Sequence, residues 1–398
     1  MTFSKRTNWH RQPNKLSEMI DSLRKNGKPI IYLTISNPTE CGILYPEEEM
    51  LSAFSNLSVF HYEPNPRGLL SARDAVREYY KKKKIVVDPS SVFLTASTSE
   101  AYSIVFKLLC NTGENVLVPK PSYPLFDYLA QLNDVRLRHY NLRYDGEWSV
   151  DIDSLKNCII ESLNDFNVGK IKAIVIVNPH NPTGLFLKKD EYKAIKEIAR
   201  QYKLAIIVDE VFIDYAFEND ESRIASTTGE SDVLTFTLNG ISKMMGLPQM
   251  KLGWIIVNGQ QPIVNEAMER LEIICDTFLS VNTPVQVALP RLFDAGKIIQ
   301  QNILSRIRSN YSTLITQTLN TSCSALTAHG GWYGIIRIPK IKSGEEWALQ
   351  LLEIKGVYLF PGYFFDFDED CYLVVSLLTE SIVFQKAVSE IVDYVSTV

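Results

Sequence analysis

Three short apolar runs, each closed by one polar group of a different kind, constrain this chain of 398 residues more than any other feature. They are VIVNPHNPTG (175–184), AIIVDEVF (205–212) and TFTLNGISKMMGLPQMKLGW (235–254). Each opens as a short run rich in β-branched residues, the pattern of a buried strand. Helical periodicity fills the intervals, so strands and helices alternate. Alternation on this scale means an α/β fold, a mostly parallel sheet with helices on both faces. In such sheets ligands sit outside the carboxyl ends of the strands. The three runs deliver Asn181, Asp209 and Lys243 to that edge: an amide, a carboxylate and an amine.

The same reading places seven strands, at 91–95, 115–118, 135–140, 171–177, 204–208, 233–238 and 252–257. Helices are expected at 71–80, 99–110, 123–132, 189–202 and 263–275. The strand at 252–257 follows its neighbour with no intervening helix, which suits an antiparallel partner. A boundary falls near 286–300, beyond which GGWYGIIRIP (330–339), GVYLFPG (356–362) and CYLVVSLL (371–378) alternate with helical segments as a smaller α+β domain.

Several functions are excluded. A net charge of −5 leaves no electrostatic footprint for nucleic acid. The six cysteines stand singly, with no CxxC pair or tight His/Cys cluster, so no metal is expected. They read as reduced packing thiols of a cytoplasmic protein. The N-terminus has no apolar signal region, and no uncharged run is long enough for a membrane span. GxxxxGK, GxGxxG, HExxH and GxSxG are all missing, which removes the nucleotidase, dehydrogenase, zinc-protease and serine-hydrolase readings.

An amide, an acid and an amine together suit pyridoxal 5'-phosphate. The amine forms a Schiff base with the aldehyde, the carboxylate keeps the pyridine nitrogen protonated, and the amide donates to the phenolic oxygen. From about Tyr32 to about Thr379 the chain resembles the class I/II aminotransferases of the aspartate aminotransferase fold. Asn178 to Gly184 fits the family's NPxNPTG, Asp209-Glu210 its acidic pair, and Ser242-Lys243 its Schiff-base site, with Lys251 eight positions on. LTASTSEAY (94–102) is similar to the phosphate-cup turn and PSYPLF (121–126) to the ring-stacking loop. Tyr62 and Gly68, in HYEPNPRGLL, fit the segment that reaches a partner subunit's cofactor.

The resemblance implies transamination between an amino acid and a 2-oxo acid, in a homodimer with shared sites completed by Tyr62 and Asn282. It implies a large domain over 46–288 and a discontinuous small domain from 1–45 and 289–398. Lys243 would carry a proton between the substrate Cα and the cofactor. Ser97, Thr98, Ser242 and Lys251 would hold the phosphate, and Tyr123 would stack on the ring. Asn37 and Arg337 are the candidates for the substrate carboxylate. Five positions depart from the family pattern: Ser97 replaces Gly, Phe212 replaces Tyr, Gly240 replaces a hydroxyl residue, Lys251 replaces Arg, and Val374 replaces the carboxylate-clamping Arg. Lys lacks the bidentate fork of Arg. These departures keep a second reading open: β-elimination or decarboxylation on the same scaffold.

Overall fold

The computed structural model describes residues 3–9, 11–164, 169–229 and 232–398. Its largest sheet has eight strands, in the order Val92–Thr95, Gly253–Asn258, Thr235–Gly240, Ala205–Asp209, Ile171–Val177, Asn115–Lys120, Arg136–Tyr144 and Trp148–Val150. From Thr235–Gly240 to Arg136–Tyr144 the strands are parallel. Gly253–Asn258 is antiparallel to both its neighbours, as its missing helix suggested. Val92–Thr95 therefore points the same way as the parallel set. One edge of the sheet collects the carboxyl ends of all these strands and the amino end of Gly253–Asn258.

Both faces of the sheet are buried, which is why its strands lack polar alternation. Ala173, Val175 and Val177 pack against Val105 of helix Thr98–Leu109 and Leu271 of helix Gln261–Phe278. Ile174 and Ile176, on the other face, pack with Leu155 of Ile152–Asn164 and Ile195 of Lys189–Tyr202. Each Val or Ile taken out of water contributes about 1.5–3 kcal/mol before the entropy of ordering it is counted. Helix Lys189–Tyr202 shows how the intervals are punctuated. Glu191 accepts from the Lys188 N–H at its start, Tyr192, Ile195, Ile198 and Ala199 form its buried stripe, and Lys203 ends it in a left-handed turn at φ 55°.

All seven expected strands are present, but the sheet has an eighth. Trp148–Val150 pairs antiparallel with the end of Arg136–Tyr144. The signal was Asp145-Gly146, a hairpin dipeptide whose glycine takes φ 77°. Arg136–Tyr144 is correspondingly longer than its apolar stretch, because an edge hairpin needs apolar residues on one face only.

A four-stranded antiparallel sheet, Ser324–Ala325, Tyr333–Arg337, Tyr372–Ser376 and Phe360–Pro361, forms the smaller unit. Ile31–Tyr32 runs parallel to Val357–Tyr358, and the Leu33 C=O accepts from the Ser376 N–H, so both ends of the chain build it. The first residues lie elsewhere: Arg6 pairs with Asp134 and Trp9 donates to Gln131, beside helix Leu125–Leu132 of the large sheet. Helix Thr283–Thr318 runs unbroken for 36 residues through the region of the expected boundary. Among the described residues, no helix is long and apolar enough to cross a membrane.

Candidate active site

The open edge of the sheet gathers Ser97, Thr98, Tyr123, Asn181, Asp209, Ser242, Lys243 and Lys251 around one cavity of about 270 Å3. Each arrives from the end of a strand. Ser97 follows Val92–Thr95, Tyr123 follows Asn115–Lys120, Asn181 follows Ile171–Val177, and Lys243 follows Thr235–Gly240. Asp209 closes its own strand. Lys251 comes from the opposite direction, and only an antiparallel Gly253–Asn258 can bring it to this edge.

Asp209 forms the floor. One carboxylate oxygen accepts from the Val211 N–H at 3.1 Å, and its main-chain oxygen accepts from the Asn178 N–H at 2.8 Å. Burial pushes the carboxyl up to about 6, against the opposing pull of the Val211 amide, the Tyr102 hydroxyl and the Lys243 charge. A poorly solvated carboxylate gains most from a cationic partner such as a protonated ring nitrogen.

The Lys243 amine lies 5.2 Å from the centre of the Trp332 ring. Burial lowers its pKa and the Asp209 charge works the other way. Lowering the pKa raises the neutral fraction, the form that attacks an aldehyde or takes a proton. Its backbone is clamped. The Tyr215 hydroxyl donates to the Lys243 C=O at 2.7 Å, and the Gln300 amide donates to the Met244 C=O at 2.8 Å. Met245 then seats on helix Thr283–Thr318 at Gly296, where a Cβ would come within 2.5 Å of its sulfur.

The turn before helix Thr98–Leu109 is the phosphate candidate. Ser97 caps the helix, its Oγ accepting from the Glu100 N–H at 3.1 Å. The Glu100 carboxylate accepts from the Ala96 N–H at 2.6 Å and the Ser280 hydroxyl at 2.7 Å. The hydroxyl-bearing residues Thr98 and Ser99 still line the cavity, and the helix terminus favours an anion. Glycine is needed instead on the neighbouring strand, opposite this turn. A Cβ on Gly253 would lie 3.3 Å from the Ser97 carbonyl carbon. Packing also explains Gly240, where a Cβ would fall 2.9 Å from the Gly253 Cα. Lys251 lines the cavity in a left-handed conformation, φ 53°, after the turn Pro248–Met250. A non-glycine residue there costs about 1–2 kcal/mol.

The lining also fits the rest of a pyridoxal phosphate. The Asn181 side-chain amide lines the cavity, its oxygen buried with no hydrogen-bond partner in the protein; with its O and N exchanged, the NH2 would face the cavity as a donor. Tyr123, 41% exposed, stands at the mouth and meets Phe126 edge-on at 6.3 Å. Phe212 is buried against Trp332, their centroids 5.2 Å apart, so that position packs rather than donates.

Four nominated residues are not in the cavity lining; one of them, Asn282, caps helix Thr283–Thr318, its side-chain oxygen accepting from the Val285 N–H at 3.0 Å. Tyr62 is 67% exposed, in a separate groove with Gly68 and Phe278. Asn37 follows Ser36, which does line the cavity, but its amide oxygen caps the turn Pro38–Glu40, accepting from Thr39 N–H and hydroxyl at 3.2 and 2.8 Å. Arg337 lies away from the lining. Tyr333 lines the cavity from the start of the strand, and Arg337 sits four residues on, roughly 13 Å away. Its Nε donates to the Ser324 hydroxyl at 3.3 Å on an exposed face. Val374 is fully buried, packed with Ile335 and Phe365. Among the described residues, Lys243 and Lys251 are the only cations in the lining. The sequence reading missed Trp332 and Tyr333, whose GGWYG segment read only as a strand, and Tyr215, which it did not single out.

A sheet edge that sets an amine, a carboxylate, an amide and a helix N-terminus around one cavity has a lining that fits pyridoxal phosphate. The chain belongs to the class I and II aminotransferases, whose sequence profile it matches over residues 47–381. It is 32% identical to the glutamate-pyruvate aminotransferase AlaA of Haemophilus influenzae over 367 residues, 89% of this chain and 88% of that one. It is 28% identical over 354 residues to the tyrosine aminotransferase of Dictyostelium discoideum, covering 85% and 82%. An alanine aminotransferase from Pyrococcus furiosus has the same fold, with a TM-score of 0.86 over the full length of both chains at 22% identity.

Proposed function

We propose that this aminotransferase binds pyridoxal 5'-phosphate through Lys243 and moves an amino group between an amino acid and a 2-oxo acid. The observation that carries this is the buried Lys243 amine sharing one cavity with the Asp209 carboxylate, burial lowering the amine's pKa. Bound pyridoxal phosphate supplies an electron sink for the charge left when the substrate Cα loses its proton. Asp209 would hold the ring nitrogen, the Asn181 amide would face the ring oxygen, and Tyr123 would cover one ring face. Thr98, Ser242 and Lys251 would hold the phosphate, with Ser97 shaping the turn. The Lys243 amine would attach the group and would take and return the proton of the substrate Cα.

The names of the relatives put glutamate, alanine and tyrosine first among donors to test. Asn37 at the rim is the remaining candidate for the substrate carboxylate. With the loaded enzyme and no acceptor, a true donor should release one equivalent of keto acid and no ammonia. Free ammonia with pyruvate, or carbon dioxide, would show a lyase or a decarboxylase instead. Arg337→Met should leave the half-reaction unchanged, and a loss beyond about 10-fold would restore that residue as an anchor.

Homodimerisation belongs to the same reading. Leu57, Phe60, Tyr62, Ile273 and Phe278 are all more than half exposed, an apolar surface suited to a second copy. Tyr62 would then complete the partner's site, as the resemblance implies. Sedimentation should give a dimer; a fully active monomer would refute this. The six unpaired cysteines suit a cytoplasmic location. The division into 46–288 and 1–45 with 289–398 stays our domain outline, with helix Thr283–Thr318 crossing between the two.

A further inference from the structure

We infer that one substrate of this site is a primary amine, or the aldehyde or ketone it becomes, carrying an aromatic or bulky apolar group and no carboxylate. The inference rests on the aminotransferase reading above and names the substrate class of one half-reaction; an amino acid and its 2-oxo acid serve the other. The cavity lining carries it. Among the described residues its cations are Lys243 and Lys251 alone, and both are already assigned, to attachment and to the phosphate. The polar groups left over, the hydroxyls of Ser36, Ser99 and Tyr333, are neutral. Asn37 at the rim is neutral too, and its amide oxygen is held by Thr39. Cations on neighbouring segments are engaged. Lys120, which leads into the Tyr123 loop, pairs with Asp368 at 2.6 Å. The segments expected to reach a partner's site, 61–68 and 280–283, hold no lysine and one arginine, Arg67, which pairs with Glu272 at 2.7 Å.

A carboxylate brought from water into this cavity meets no unassigned cation, and an unpaired buried charge is costly. Asp209 and a bound phosphate, which carries more than one negative charge at neutral pH, would already face the two lysines. The walls favour the opposite kind of group. Trp332 is 1% exposed and is held edge-on by Phe212 at 5.2 Å and Tyr215 at 5.3 Å. The Lys243 amine lies 5.2 Å from the centre of the same ring, so a fixed aromatic surface stands beside the nitrogen at which the substrate reacts. Val211 and Leu252 line the cavity with it. An aromatic substituent buries a large apolar area against such walls and finds ring partners there. The exchange balances without an oxidant. The amine-bearing carbon is oxidised to the carbonyl as the oxo-acid carbon is reduced, the nitrogen and three hydrogens crossing one way and one oxygen the other. Lys243 needs a hydrogen on the amine-bearing carbon, and that carbon need carry no carboxylate.

The test compares donors that differ only in the group in question, on the wild-type enzyme loaded with pyridoxal phosphate and given no acceptor. Phenethylamine is set against phenylalanine, which adds the carboxylate, and against propylamine, which lacks the ring. The half-reaction is followed by the change in the loaded enzyme's absorbance and by the carbonyl product, phenylacetaldehyde, phenylpyruvate or propanal. Phenethylamine should exceed phenylalanine in kcat/KM by about 10-fold or more, the amino acid reacting with a high KM. It should exceed propylamine by about 10-fold or more as well. Phenylalanine within 10-fold of phenethylamine, or ahead of it, would overturn the inference and leave transamination standing. Propylamine within 10-fold of phenethylamine would overturn the choice of an aromatic or bulky group. A loaded enzyme that forms no carbonyl product from any donor, or that releases ammonia or carbon dioxide, would overturn the aminotransferase reading together with the inference.

Discussion

Lys243→Ala should lose about 10⁴-fold or more in turnover, because one side chain supplies both the covalent attachment and the proton carrier. Single-turnover release of keto acid from the best donor is the direct assay. The loss should come without unfolding. Lys243 is held by backbone bonds from Tyr215 and by the seating of Met245 on Gly296, neither of which uses its amine. Removing a buried ammonium from beside Trp332 also relieves a desolvation penalty. The melting temperature of the apoprotein should therefore hold or rise. A variant that keeps a tenth of wild-type turnover would show that another group moves the proton.

Asp209→Asn should cost about 10²- to 10³-fold in activity. The isosteric amide keeps the shape of the floor but loses the charge, and a charge-assisted hydrogen bond is worth about 1.5–3 kcal/mol before any gain in the transition state. The same substitution has a second, opposite signature in the apoprotein. The folded-state pKa of Asp209 is raised from 3.8 to about 6. Its protonated form is therefore favoured by folding, and that stability is present at low pH and lost as pH rises through about 6. Above that pH, apo Asp209→Asn should be more stable than apo wild type by at most about 3 kcal/mol. At about pH 4 and below, the two should converge. Denaturant unfolding at two pH values measures it. A variant less stable at both would place the carboxylate in a solvated or already paired setting. Cost in the empty protein and gain with a cationic ring in place are what a site built for a protonated pyridine should show.

The sheet and most of the site were legible because their physics is local. A strand buried on both faces must be apolar throughout, so Ile171–Val177 and Ala205–Asp209 declare themselves. Whatever polar residue ends such a strand must lie at the sheet edge. Asp209 follows from that alone; Asn181, Lys243 and the turn at Ser97 lie a few residues past their strands' ends and were placed with the help of the family motifs, and the antiparallel Gly253–Asn258 explains why Lys251 joins them. What could not be read was long-range. Nothing near Arg337 in sequence says how far along its strand the cavity lies; Tyr333 faces it and Arg337 is past its end. Gly240 and Gly253 face one another across two strands, and only their pairing shows why neither tolerates a side chain. Trp332 and Tyr215 are aromatics with no local signal of a site; their placement against Lys243 comes from packing between distant segments. Tyr62 and Asn37 sit outside the cavity lining of a single chain, which is where residues that act across an interface or at a rim would lie.

The central claim is that Lys243, and no other lysine, holds the cofactor. Borohydride reduction of the loaded enzyme, followed by protease digestion and mass mapping, tests it most directly. The pyridoxyl mass should appear on the peptide carrying Ser242-Lys243, and it should be lost when the reduced sample is made from Lys243→Ala. The same mass on Lys251 or any other lysine, or no covalent label on a protein that still transaminates, would contradict it.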